Sequence, residues 1–208
     1  MKTLDNEYQK LTEEILECKK CRLWKNRKNP VPGEGSLNAK IMFIGEAPGR
    51  MEDLEGRPFV GAAGKLLTEL LNSIGLRRDE VYITNLVKCR PPQNRDPLPD
   101  EIDACSPYLD RQIRLIMPKL IVTLGRHSTK HILSKCGVKV TSITKVRGKI
   151  FLIKVDDVLI KVIPTYHPAA ALYNPRMRTF LEEDFKRVIR REVNSLMSTK
   201  RVSIEDFF

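Results

Sequence analysis

The sequence has no run of about 18 apolar residues, which excludes a membrane-spanning helix. Its first ten residues, MKTLDNEYQK, lack the apolar core of a secretory signal, so we expect a cytoplasmic protein. Acidic residues are the minority, 26 against 37 basic ones, and the net charge of +11 indicates a polyanionic partner. With 208 residues, 41% of them hydrophobic, the chain is long enough for one globular domain with a large core.

Short apolar segments alternate along the chain with segments of helical periodicity. The segment 62–74 carries leucines at helical spacing, and 176–197 is predicted to be one long basic helix. Such alternation predicts an α/β fold, a three-layer α/β/α sandwich around a central, mostly parallel four-stranded sheet. The Gly- and Pro-rich segment 46–60 is predicted to be a loop. The four strands are expected at 40–45, 81–87, 120–125 and 158–163, the last preceded by an antiparallel hairpin arm.

Polar residues follow or end three of the predicted strands. Glu46 follows the first strand, Asn85 lies near the end of the second, and His167 follows the fourth. The carboxyl ends of parallel strands lie along one edge of a sheet, where ligands usually bind. We therefore expect these three side chains to converge on one site.

The cysteine spacing points to a metal site. Cys18 and Cys21 form a C-x2-C pair, and Cys89 and Cys105 lie much farther along the chain. Thiolates can hold either an iron–sulfur cluster or a structural zinc ion, and the spacing alone leaves both open. Scattered buried cysteines are the third interpretation. We interpret the fifth, Cys136, as a small core residue.

Four motifs, taken in order, resemble those of the family 4 uracil-DNA glycosylases, the iron–sulfur type of thermophilic archaea and bacteria. The resemblance covers about residues 4–195. Because the cysteine pattern also matches, it implies a [4Fe–4S] cluster held by Cys18, Cys21, Cys89 and Cys105. The motifs are the segments 45–49 (GEAPG), 56–64 (GRPFVGAAG), 84–92 (TNLVKCRPP) and 167–170 (HPAA).

The resemblance implies a monofunctional enzyme that flips uracil out of DNA and hydrolyses its N-glycosidic bond, leaving an abasic site for base excision repair. It assigns Phe59 to stacking on the base, Asn85 to reading the edge of uracil, and His167 to stabilising the departing anion. Without the resemblance, Phe59 would be interpreted as a core residue and Asn85 as a cap at a strand end. The alternative function is a non-catalytic iron–sulfur module that recognises damaged DNA.

Two acidic residues complete the predicted active site. Glu46 is the candidate to hold the attacking water or to stabilise the positively charged sugar, and a water held by the backbone is the competing interpretation. Glu52 matches the family's pocket wall, which would crowd the 5-methyl group of thymine; otherwise it is a solvated loop acid. Gly45 and Ala47, beside Glu46, belong to the predicted uracil-binding set.

Basic residues near these loops are predicted to contact uracil-containing DNA, double- or single-stranded. Arg90, Arg95 and Arg176 are the phosphate-binding candidates. Leu172 is the candidate wedge that enters the gap left by the flipped base, since the expected position holds the smaller Ala171. His127 and His131 are predicted to have a surface or packing role, and the protein is expected to be a monomer.

The residues 198–208 are predicted to form a polar tail beyond a single glycosylase domain over 1–197. Its end resembles the short peptide that docks on sliding clamps, which places an aliphatic residue three positions before two aromatics. Folding of this apolar end onto the core is the alternative. The residues predicted to bind a clamp are Arg201, Ile204, Phe207 and Phe208.

Overall fold

The computed structural model describes residues 2–198. A central sheet has the strand order β1-β3-β2-β4-β6-β5. Its four inner strands, β3, β2, β4 and β6, are mutually parallel. The strands are β1 (Glu34–Gly35), β2 (Ile41–Gly45), β3 (Tyr82–Asn85), β4 (Leu120–Leu124), β5 (Phe151–Val155) and β6 (Val158–Thr165).

The predicted four-stranded sheet is therefore a six-stranded one, because a short strand is added at each edge. The two-residue β1 pairs antiparallel with β3, and β5 pairs antiparallel with β6 around the turn at Asp156 and Asp157. Both turn residues have positive φ, as a tight two-residue hairpin requires. The four inner strands match the predicted ones.

Helices cover both faces of the sheet, which confirms the three-layer α/β/α prediction. The apolar side chains of each inner strand alternate between two clusters: Phe43 and Val122 pack on one face, whereas Met42 and Ile121 pack on the other. The helices are α1 (Lys2–Glu17), α2 (Arg50–Glu55), α3 (Ala62–Ser73), α4 (Pro99–Ile116), α5 (Arg126–Ser134), α6 (Ile143–Val146), α7 (Pro168–Leu172), α8 (Pro175–Glu183) and α9 (Arg190–Ser198).

Two of the predicted segments differ in the structure. The loop predicted over 46–60 contains α2, which begins after Gly49 and ends at Gly56, a residue with φ of +69°. The predicted long helix 176–197 is α8 and α9 joined by a π-helical stretch, Asp184–Ile189. This stretch buries Asp184, which accepts hydrogen bonds from Arg147 and Thr165.

The predictions about membrane spans and the tail have different outcomes. Within residues 2–198, no helix has the length and apolar character needed to cross a bilayer. The predicted tail begins at Ser198, the last residue of α9, and residues 199–208 lie outside the described part of the chain.

Candidate active site

A pocket of about 390 Å³ opens at the carboxyl edge of the parallel strands. Glu46, Asn85 and His167 all line it, as the strand order predicts, because they follow or end β2, β3 and β6. Ala47, Glu52 and Phe59 line it too, together with Arg95 from the loop before α4.

Two glycines allow Phe59 to lie in the pocket. A Cβ atom on Gly45 would come within 2.3 Å of Asn85 Oδ1 and 2.6 Å of Phe59 Cζ. A Cβ on Gly64 would come within 1.8 Å of the Phe59 carbonyl oxygen. Phe59 itself has φ of +52°, a conformation that non-glycine residues rarely adopt. The main chain therefore accommodates Phe59 through two glycines without side chains and the positive φ of Phe59 itself.

Asn85 ends β3 with a buried side chain, of which 1% is exposed. Its Oδ1 atom is buried and has no hydrogen-bond partner among residues 2–198. A buried acceptor without a partner is costly, by about 1–3 kcal/mol. The side chain is therefore placed to receive a donor from a bound group.

His167 has a defined tautomer. Its Nδ1 accepts a hydrogen bond from the Ala169 main-chain N–H at 3.1 Å, so the proton of the neutral ring is on Nε2. Burial lowers the pKa of His167 to about 4, against a smaller opposing effect of Glu52. The ring stacks on Phe59 with centroids 5.5 Å apart. A neutral imidazole with a donating Nε2 results.

Glu46 lies beside charged groups that the sequence did not connect to it. Burial raises the pKa of Glu46, His127 lowers it and Asp96 raises it. His127 Nε2 is 3.9 Å from Glu46 Oε2 and 3.1 Å from Asp96 Oδ2. His127 was predicted to have a surface or packing role. The structure adds that it lies beside the pocket, next to Glu46. His131, in contrast, pairs with Asp110 away from the pocket.

Glu52 binds the loop that surrounds the pocket. One carboxylate oxygen accepts from the N–H groups of Val60 and Gly61, each at 2.9 Å, and the other accepts from Gly49 at 3.1 Å. The carboxylate thus ties the two ends of the segment 49–61 together. Sequence reasoning treated Glu52 only as a wall or a loop acid.

The four predicted cysteine ligands line one small cavity between α1 and α4, and none of them is in a disulfide. Among residues 2–198, the one set of three or more His, Cys, Asp or Glu ligand atoms that all lie within 4.8 Å of one another is that of Glu46, Asp96 and His127, so no three of the sulfurs are that close. Sulfurs bound to one zinc ion lie about 3.8 Å apart, since each Zn–S bond is about 2.3 Å. The four sulfurs are therefore not arranged as they would be around a single zinc ion.

Two donors point at this cysteine set. Arg27 donates to Cys89 Sγ at 3.1 Å, and the main-chain N–H of Lys88 donates to Cys105 Sγ at 3.2 Å. Burial raises the pKa of Cys105 to about 12 in the absence of a bound metal. Cys136, predicted to be a core residue, is instead exposed in the turn that follows α5.

The residues predicted to contact DNA differ in whether their side chains are already paired with other residues of the chain. Arg95 forms a two-pronged ion pair with the buried Glu101, at 2.8 and 2.6 Å, and Arg90 donates to Asn94. Arg176 is exposed, with its guanidinium over the Phe180 ring.

Leu172, the predicted wedge, is 38% exposed at the end of α7. Its neighbour Tyr173, which sequence reasoning missed, is 90% exposed. A large aromatic residue directly before the Asn-Pro pair that opens α8 was the available signal.

The fold and the pocket together define an α/β protein with an aromatic ring, an amide and an imidazole around one pocket at the carboxyl edge of its sheet. A family model described as the uracil DNA glycosylase superfamily matches residues 32–193. The type-4 uracil-DNA glycosylase of Sulfurisphaera tokodaii is 64% identical over 200 residues, which cover 96% of this chain and 89% of the relative.

Two further type-4 uracil-DNA glycosylases match over similar lengths. That of Saccharolobus solfataricus is 59% identical over 198 residues, covering 95% of this chain and 89% of the relative. That of Archaeoglobus fulgidus is 52% identical over 188 residues, covering 90% and 92%. The chain belongs to the uracil-DNA glycosylase superfamily and, within it, to the type-4 group.

Proposed function

We propose that the protein is a monofunctional uracil-DNA glycosylase, which hydrolyses the N-glycosidic bond of uracil in DNA and leaves an abasic site for base excision repair. One observation carries the proposal: Asn85, whose Oδ1 atom has no partner among residues 2–198, and a neutral His167 donor line the same pocket. A non-catalytic binding module has no need of this pairing. On this proposal the protein acts as a monomer on DNA in the cytoplasm.

The pocket residues divide the reaction between them. Uracil flips out of the stack, lies against Phe59 and offers its polar edge to the Asn85 amide. As the bond between the sugar C1′ and the base N1 breaks, its electron pair moves onto uracil. His167 Nε2–H donates to the uracil oxygen where this negative charge develops. Water then bonds to C1′ and gives up a proton, and the uracil anion takes up a proton, so the products are free uracil and an abasic sugar.

Glu46 faces the positive charge that develops on the sugar. We infer that its carboxylate holds the attacking water or stabilises that charge, with His127 and Asp96 as its neighbours. Ala47 lines the pocket beside it, and Gly45 packs against Asn85 and the Phe59 ring. On this proposal Glu52 forms the wall that excludes the thymine methyl group.

A gel assay on an oligonucleotide with one uracil tests the proposal directly, with thymine and cytosine oligonucleotides as controls. We expect breakage at uracil alone, and only after alkali, because the enzyme leaves the phosphodiester backbone intact. Absence of breakage by protein that retains its visible iron–sulfur absorbance would instead favour the binding module.

We propose that Cys18, Cys21, Cys89 and Cys105 hold a [4Fe–4S] cluster. The sulfur spacing supports this over a single zinc ion, and the two donors to sulfur fit thiolate ligands of either metal. When bound, the group supplies a cross-link between the start of the chain and the two ends of the segment 89–105. It takes no part in the hydrolysis itself.

Replacing Arg27 with Gln is expected to make the cluster more labile. Its guanidinium bridges Cys89 Sγ to the Leu16 carbonyl oxygen, and hydrogen bonds to ligand sulfurs stabilise the charged cluster. The visible absorbance should bleach about tenfold or more faster in a chelator than in the wild type. The Lys25→Gln variant removes a nearby exposed charge and serves as the control; equal bleaching of both variants would contradict the role given to Arg27.

For the DNA itself, we propose phosphate contacts by Arg90, Arg95 and Arg176 and insertion of Leu172 into the gap left by uracil. Arg176 is the best placed of the three cations, because its guanidinium is exposed at the start of α8. Arg95 is already paired with Glu101, so its contact requires sharing that ion pair.

We also propose that Arg201, Ile204, Phe207 and Phe208 bind a sliding clamp. Deleting residues 201–208 is expected to abolish clamp binding in a pull-down and to leave uracil excision from a short duplex unchanged. Loss of excision would favour the alternative, in which the end of the chain folds onto the core.

A further inference from the structure

Lys88 is a charged residue buried between the cysteine site and the pocket. Only 1% of it is exposed. Its Nζ donates to Thr84 Oγ1, the Asn85 carbonyl oxygen and Gln112 Oε1, each at 2.7 Å. Every proton of the ammonium group therefore has a partner, and all three partners are uncharged.

The same residue contacts the cysteine site through its main chain. Its N–H donates to Cys105 Sγ, and the next residue is Cys89. A buried cation is unfavourable unless negative charge lies nearby. Burial lowers the pKa of Lys88 to about 7, and Cys105, Asp110 and Cys89 oppose this shift, in that order of effect.

The Lys88 ammonium also holds the main chain where it leaves the sheet. Asn85 is the last residue of β3, and its carbonyl oxygen is a Lys88 acceptor while its side chain lines the pocket. The next residue, Leu86, donates its N–H to the Gly45 carbonyl oxygen. Without the ammonium, three buried acceptors would each lose one donor, and the Asn85 peptide would lose one of its attachments.

We propose that Lys88 is a positioning residue that couples the cysteine site to the base pocket by holding the Asn85 peptide in place. This inference rests on the proposed function, since it gives Asn85 the task of reading uracil. Lys88 touches neither the base nor the sugar. Coupling between two sites is reciprocal, so a ligand in the pocket should also stabilise the cysteine-bound group.

The Lys88→Met variant tests the positioning role, because Met has a similar length and no donor. The matched control is Lys40→Met, which removes another part-buried lysine that donates to a main-chain carbonyl, that of Leu196 in α9. For Lys88→Met, we expect the single-turnover excision rate to fall and the inhibition constant of free uracil to rise, each by about 10–100-fold. Affinity for abasic DNA should stay unchanged, and Lys40→Met should match the wild type in all three.

The coupling is tested by bleaching of the visible absorbance in a chelator, with and without saturating free uracil. We expect uracil to slow bleaching of the wild type and of Lys40→Met, and to give no protection to Lys88→Met. Equal protection in all three proteins, or wild-type uracil inhibition in Lys88→Met, would overturn the inference.

The Thr84→Val variant keeps the test decisive if Lys88→Met does not fold. It removes one acceptor of Lys88 at nearly constant volume. It should weaken the excision rate and the inhibition by free uracil, by a smaller factor than Lys88→Met does. The wild-type assay separates the two levels of inference. A wild type that does not excise uracil contradicts the proposed function, whereas an active wild type with an equally active Thr84→Val contradicts only the role of Lys88.

Discussion

The His167→Ala variant should excise uracil about 10²–10³-fold more slowly than the wild type, the loss seen when one donor to a developing anion is removed. The Nε2–H of His167 is fixed by the hydrogen bond that its Nδ1 accepts from Ala169, so its donor function is preorganised. Single-turnover rates with enzyme in excess measure this chemical step directly.

His131→Ala is the matched control, because His131 is a histidine paired with Asp110 outside the pocket. Its excision rate should equal that of the wild type. Both variants should bind abasic duplex as the wild type does. A His167→Ala variant that loses rate and DNA affinity to the same extent would point to a binding role instead.

The depressed pKa of His167 also has a stability consequence. The folded protein takes up this proton only near pH 4, whereas the unfolded chain takes it up near the ordinary value of 6.5. Between these values the unfolded state binds more protons, so the His167 contribution to stability is lost as the pH falls from about 6.5 to about 4. Urea unfolding at about pH 7 and about pH 5 should show a smaller decrease in stability for His167→Ala than for the wild type.

Replacing Asn85 with Ala should lower the rate of uracil excision by about 10²–10³-fold. The amide supplies an acceptor and a donor to the pocket, so in the variant the polar edge of uracil would be left without these partners. The readouts are the single-turnover rate and the inhibition constant of free uracil, which should both change.

The Asn72→Ala variant removes an exposed amide at the end of α3 and should leave both readouts unchanged. Affinity for abasic DNA should stay constant in both variants, since no base occupies the pocket there. If Asn85→Ala kept wild-type inhibition by free uracil, the edge-reading role of Asn85 would be wrong.

The inner strands were predictable because each lies in a short, mostly apolar run, as is typical of a buried parallel strand. The edge strand β1 was not predictable, since its two residues lie in a Gly- and Pro-rich segment and are ordered by pairing with β3. The helix α2 was not predictable either, because it lies in a Gly- and Pro-rich segment between Gly49 and Gly56. One of its residues, Glu52, holds the surrounding loop together.

The residues that line the pocket were predictable from motifs that follow the strands. Their supporting neighbours were not. His127 reaches Glu46 from α5, and Lys88 reaches Asn85 across a turn of the chain. No periodic pattern in the sequence predicts either contact, because each depends on how the chain packs in three dimensions. A charged residue in an apolar segment, such as the lysine in LVKC, was the one visible sign.

The two glycines that surround Phe59 limit how the pocket can change over evolution or in the laboratory. A methyl group at either Gly45 or Gly64 would overlap Phe59 atoms, at 2.6 Å from the ring and 1.8 Å from the carbonyl oxygen. The aromatic side of the pocket therefore cannot be altered by small steps. New base specificity has to arise elsewhere in the lining, as at Ala47. Glu52 is not such a position, because its carboxylate holds the main-chain N–H groups of Val60 and Gly61 directly after Phe59.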